Sequence, residues 1–145
     1  MDYEKYVSTK VKQVEFSTIR HFFNLVYQMP DAISLCIGEP DFSTPLHIRE
    51  SAKVALDSYN LGDTPNPGLP ELRKAISEYL EVRFGLKYRP DTEIIVTIGA
   101  SEAIDIALRT IINPGDEVLI PVPSFIAYKP CTQLAGGVPV FVPTY

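Results

Sequence analysis

From residue 93 onward the sequence alternates strictly between short apolar runs and amphipathic stretches, separated by small-residue or proline–glycine turns. That alternation is what most constrains the fold. Ile94, Ile95, Val96 and Ile98 form a β-branched run suited to a strand buried on both faces. Gly99-Ala100-Ser101 turns the chain without bulk, and Ala103, Ile104, Ala107, Leu108 and Ile111 then recur at helical spacing. Asn113-Pro114-Gly115-Asp116 reads as a turn. A strand at 117–120, a helix at about 125–134 and a strand at 138–142 follow. Such alternation predicts an α/β fold with a mainly parallel sheet covered by helices. Three parallel strands leave apolar edge and face exposed, so the expectation is a chain cut within a larger domain.

Upstream, residues 13–28 carry Phe16, Ile19, Phe23, Val26 and Tyr27 near helical periodicity, as a short helix or arm would. Residues 33–37 read as a short strand closed by the Gly38-Glu39-Pro40-Asp41 turn. Thr44-Pro45 and Pro70 are helix starts, and Gly85 is a helix stop. The second of these helices places Leu72, Ile76, Tyr79, Leu80 and Phe84 on one face, expected to be buried. Between the two helices, residues 59–70 are too long for a minimal connector and read as a functional loop.

Several function classes are excluded. The net charge is −5 without a basic cluster, which argues against a nucleic-acid footprint. No run approaches the ~18 apolar residues that a membrane helix needs. Cys36 and Cys131 lie in no pair motif and read as reduced thiols of a cytoplasmic protein. His21 and His47 are isolated, so no metal site is expected. The Gly99 turn also lacks the spaced glycines that a dinucleotide pyrophosphate needs. The first turn of a helix nevertheless makes an anion site, and Ser101 adds a hydroxyl donor beside it.

Four stretches, SLCIGEPDFSTP (34–45), TPNPGLPELRKAI (64–76), IIVTIGASEAIDIAL (94–108) and PGDEVLIPVPSFIAYKP (114–130), come in an order that resembles one family. That family is the class I/II, fold-type I aminotransferases, which depend on pyridoxal 5′-phosphate. The resemblance implies a partial fold-type I architecture, with an N-terminal arm and helices followed by an incomplete, mainly parallel sheet. Residues 1–45 would form the arm and a small-domain segment, and residues 46–145 the first part of the cofactor-binding large domain. It further implies amino-group transfer between an amino acid and a 2-oxo acid in a homodimer.

Residue by residue, Ala100 and Ser101 match the family's phosphate-cup positions. Phe125 matches the aromatic residue that stacks on the cofactor ring, and read without the resemblance it is a core aromatic. Gly38 matches the glycine whose main-chain N–H lies near the substrate carboxylate; from its residues alone it is equally a turn glycine. Ile19 matches a position flanking the substrate, and packing explains it as well. Asp63 stands where many relatives carry a tyrosine that reaches the neighbouring subunit's cofactor phosphate. A carboxylate there would repel a phosphate, and Tyr59 lies four residues upstream.

The Schiff-base lysine, the acid that partners the cofactor's ring nitrogen and the arginine that clamps the substrate all fall outside the matching stretches. No catalytic residue is therefore assigned, and the 145-residue chain alone is expected to be inactive. A second reading is a non-catalytic interaction or regulatory module derived from the aminotransferase scaffold.

Overall fold

The computed structural model describes residues 2–15, 18–26, 28–29, 31–33, 35, 38, 40–58 and 62–145, with the backbone alone at 18, 20 and 21. The strand expected at 33–37 and the roles considered for Phe16, Tyr27, Cys36 and Tyr59 rest on positions outside the described residues. The chain separates into two compact units, residues 22–96 and residues 1–21 with 97–145.

The unit of residues 22–96 is built on two helices. Helix α3 (Leu46–Ser58) starts one residue after Pro45, whose carbonyl accepts the Ile48 and Arg49 N–H groups at 3.1 and 3.2 Å. Helix α4 (Pro70–Phe84) has proline in its first turn, where a missing N–H costs nothing. It ends at Gly85 with φ +70°, a left-handed cap whose N–H reaches the Glu81 carbonyl at 2.9 Å.

The face of α4 departs from the sequence expectation. Leu72, Tyr79 and Phe84 are exposed, and the buried residue is Arg73 at 8% exposure. Arg73 Nη1 donates to the Pro90 and Asp91 carbonyls at 2.8 and 3.2 Å, tying α4 to the turn at 89–93. Ser77 Oγ donates to the Tyr88 carbonyl beside it. Within that turn the Glu93 carboxylate accepts the Arg89 backbone N–H at 2.7 Å and pairs with its guanidinium at 3.3 Å. These bonds, the backbone one foremost, hold the Glu93 carboxyl below its ordinary titration range.

The loop before α4 is closed by glycine. Gly68 sits at φ +98° and donates its N–H to the Pro65 carbonyl at 2.8 Å. The neighbouring Pro67 carbonyl accepts the Val96 N–H at 3.0 Å. A β-carbon at Gly68 would lie 2.7 Å from both Cβ and Cγ2 of Val96. Glycine is required here for backbone conformation and for space at once.

The other unit contains helix α5 (Gly99–Ile111), strand β1 (Glu117–Val122), helix α6 (Tyr128–Ala135) and strand β2 (Val138–Pro143). Strands β1 and β2 pair in parallel, with Glu117 opposite Val138 and Val122 opposite Pro143, and α6 connects them. This is the strand–helix–strand grammar expected from the sequence. The expected turn forms as well: Asp116 Oδ2 accepts the Asn113 N–H at 2.8 Å, and Gly115 takes φ +93°. The core lies where α6 meets the sheet, with Ile120 at 4% exposure and Thr132 fully buried. Thr132 Oγ1 satisfies itself on the Tyr128 carbonyl at 2.8 Å.

Helix α1 (Thr9–Lys12), capped by Ser8, lies against α6. The Lys10 ammonium is 3.5 Å from the Leu134 carbonyl, near the C-terminal end of α6, and Glu15 pairs with Lys129 in its first turn at 2.8 Å. Both charges complement the dipole of α6. Helix α2 (Thr18–Val26) completes the N-terminal region.

Residues 94–98 do not form the expected strand. Val96 bonds to Pro67, and Ile95 and Ile98 are 57% and 92% exposed. A strand is defined by its neighbour. Among the described residues the only ladder is that between β1 and β2, so this β-branched run has the composition of a strand without a pairing edge.

Candidate functional site

The first turn of α5 is an open set of donors. The helix has no side-chain cap, and the N–H groups of Ala100 and Ser101 have no acceptor among the described residues. Ser101 is exposed, and its hydroxyl makes no hydrogen bond among the described residues. The two N–H groups just before those of Ala100 and Ser101, on Ile98 and Gly99, are engaged. Gly99, at φ +79°, donates its N–H to the Thr97 carbonyl at 2.9 Å, and Thr97 Oγ1 donates to the Gly99 carbonyl at 3.0 Å. The Ile98 N–H donates to the Glu102 carboxylate. Unpaired amides with a hydroxyl among them at the positive end of a helix dipole fit a phosphate group.

Phe125 lies in the segment between β1 and α6. Its carbonyl accepts the Tyr128 N–H at 3.2 Å, and its ring meets the Tyr128 ring edge-on at 5.7 Å and 85°. That contact steadies the ring while 48% of the residue stays exposed. An aromatic surface that is held but uncovered fits stacking on a flat heteroaromatic ring.

Helices α5 and α6 pack on each other, α5 carrying Asp105 and Arg109 and α6 carrying Cys131. Arg109 Nε bonds Asp105 Oδ2 at 2.7 Å, which raises the guanidinium pKa further. Burial and the Asp105 carboxylate push the Cys131 thiol up, against a smaller downward pull from Arg109. A hollow of about 560 Å³ opens between α5, β1 and α6, lined by Ile104, Leu108, Val118, Leu119, Tyr128 and others, and it is almost wholly apolar. Ala100, Ser101 and Phe125 are not among its walls, so this hollow is separate from the donor set.

The remaining sequence-predicted positions are exposed. Gly38 belongs to the unit of residues 22–96, and a β-carbon there would meet nothing within 4 Å among the described residues. Ile19 lies on α2 and is 39% exposed. Asp63 is exposed in the loop before α4. Ala100, Ser101 and Phe125 lie in one unit, on or beside two helices that touch.

Sequence reasoning overlooked Glu102. A signal for it exists, because an acid in the first turn of a helix can reach back to the N-cap N–H, and Glu102 stands four places after the N-cap Ile98. Among the described residues no group of three or more His, Cys, Asp or Glu side chains could hold a metal ion. No helix of the described residues is long and apolar enough to cross a membrane.

Comparison with known proteins follows the same lines. The model of the aminotransferase class I and II family matches residues 30–145. Bacillus subtilis YugH is 51% identical over 139 residues, covering 96% of this chain and 36% of that protein. The aspartate aminotransferase of Pyrococcus abyssi is 48% identical over 139 residues, with the same coverage of 96% and 36%. Among solved structures, the aspartate aminotransferase of Thermus thermophilus with maleate superposes with a TM-score of 0.86 at 36% identity, covering 96% of this chain and 37% of that one. The chain belongs to the class I and II aminotransferase family, and its fold is a partial fold-type I architecture. It spans about a third of the length of the curated relatives it matches.

Proposed function

We propose that this chain is the N-terminal part of a pyridoxal 5′-phosphate-dependent aminotransferase, a cytoplasmic homodimer that moves an amino group between an amino acid and a 2-oxo acid. When bound, the cofactor supplies the electron sink that makes the substrate's α-carbon proton removable. The Ala100 and Ser101 amides and the Ser101 hydroxyl hold its phosphate, and Phe125 stacks on its ring. The Gly38 main chain lies along the substrate carboxylate, and Ile19 flanks the substrate. Residues 1–45 serve as arm and small-domain segment, and residues 46–145 as the first part of the large domain. The chain by itself performs no transamination, because no lysine in it occupies the position that bonds the cofactor aldehyde.

The observation that carries this reading is the uncapped first turn of α5, with the unpaired Ala100 and Ser101 amides beside a hydroxyl. Membership in the family supports the assignment of that donor set to the cofactor phosphate. The test uses pyridoxine 5′-phosphate, which lacks the aldehyde and forms no adduct with surface lysines. Titration calorimetry should show Ser101→Ala weakening its binding about tenfold, the loss of one hydrogen bond to a charged group. Phe125→Ala should weaken it about fivefold. Unchanged affinity in Ser101→Ala refutes the phosphate assignment. Borohydride reduction of the chain with pyridoxal 5′-phosphate should leave no stoichiometric adduct at a specific lysine; such an adduct contradicts the claim of inactivity.

A further inference from the structure

Glu102 is the acid in the first turn of α5, from which a carboxylate can reach back to the N–H of the N-cap residue. It does so here: its Oε2 takes the N–H of the N-cap residue Ile98, while Gly99 is held at both its N–H and its carbonyl by Thr97. The Ile98 and Gly99 donors are thereby engaged, and the Ala100 and Ser101 donors beyond them are not. The boundary between satisfied and available N–H groups falls at the Gly99–Ala100 peptide, and Glu102 fixes one side of it.

We infer that Glu102 is the positioning residue of the anion cup: it anchors Ile98 so that the turn presents the Ala100 and Ser101 amides, and its charge weakens the phosphate those amides bind. The inference rests on the phosphate reading of Ala100 and Ser101. Its two parts have opposite signs. Anchoring favours binding by ordering the turn before the ligand arrives. A carboxylate near a phosphate dianion disfavours it through like-charge repulsion, which salt screens. Glutamine separates them, because its amide oxygen still accepts the Ile98 N–H while the charge is gone.

The experiment compares the full chain with Glu102→Gln and Glu102→Ala, reading Ile98 amide exchange by NMR and pyridoxine 5′-phosphate affinity by calorimetry. Glu102→Gln should leave Ile98 exchange within about twofold and tighten the phosphate probe about three- to tenfold at low ionic strength, a gain that shrinks at ~0.5 M salt. Glu102→Ala should speed Ile98 exchange at least about tenfold and bind the probe about threefold or more weakly than Glu102→Gln, because anchoring is lost with the charge. Equal affinity of the two variants, or Ile98 exchange unchanged in Glu102→Ala, overturns the inference. If no form of the chain binds the probe while Ile98 still responds, the phosphate reading fails, and Glu102 retains only its hold on Ile98.

Discussion

Gly68→Ala is the sharpest perturbation of the loop that leads into α4. Two costs add at this position. Its φ of +98° lies in the region where a β-carbon costs about 1–2 kcal/mol. The new methyl would also stand 2.7 Å from Val96 Cβ and Cγ2, against the ~3.5–4.0 Å of comfortable carbon contact. Because Val96 Cβ is fixed to the backbone, relief requires moving the 94–96 segment, at about 1–3 kcal/mol. The sum is about 3 kcal/mol, a shift of about a hundredfold in local opening. The bond that opens is Val96 N–H to Pro67 carbonyl, so amide exchange at Val96 is the assay. Gly85→Ala is the control, since φ is +70° there and a β-carbon meets nothing within 4 Å. It should cost about 1 kcal/mol and speed Leu86 exchange about fivefold. Val96 exchange within about threefold of wild type in Gly68→Ala, or equal effects at the two glycines, would refute the packing argument.

Three further outcomes follow from the same structure. Alkylation of Cys131, followed by peptide mapping, should have its pH midpoint above that of an ordinary thiol; Asp105→Asn should lower that midpoint and Arg109→Gln should raise it. The Glu93 carboxyl titrates below its unfolded value, so its hold on the 89–93 turn is fully present above that value and is lost as pH falls through the folded one. Arg89 amide exchange, corrected for intrinsic pH dependence, should accelerate in that acid window in wild type but not in Glu93→Gln. Glu15→Gln should loosen the α1 arm by about 0.5 kcal/mol, because the Glu15 carboxylate is 79% exposed, and ~0.5 M salt should have the same effect on Lys12 amide exchange.

What the sequence made legible is mostly local chemistry. Pro70 and Gly85 bound α4, Asn113 to Asp116 make the turn before β1, and the runs read as strands at 117–120 and 138–142 lie in β1 and β2, which pair in parallel and are connected by α6. Each of these is decided within a few residues by backbone preference or by turn hydrogen bonds. Residues 94–98 show what was not legible. Their β-branched composition announces a strand, but pairing depends on an edge supplied from elsewhere, and none stands beside them among the described residues. The face of α4 fails for a related reason: periodicity marks which side chains share a side, not what covers them. Arg73 is buried there because two carbonyls of the 89–93 turn receive its guanidinium, a contact seventeen residues away that no helical pattern encodes. At the candidate site the motif pointed to Ala100 and Ser101, whose role stands as the proposal above, while the engagement of Glu102 on Ile98 emerged only from the turn geometry.

The central claim is that the first turn of α5 receives the cofactor phosphate. The most direct measurement is the backbone NMR spectrum of the full chain titrated with pyridoxine 5′-phosphate and, separately, with pyridoxine. The phosphate ester should shift the Ala100 and Ser101 amides saturably, and pyridoxine should leave them where they are. Equal shifts from both compounds, or phosphate-dependent shifts confined to other residues, would contradict the claim.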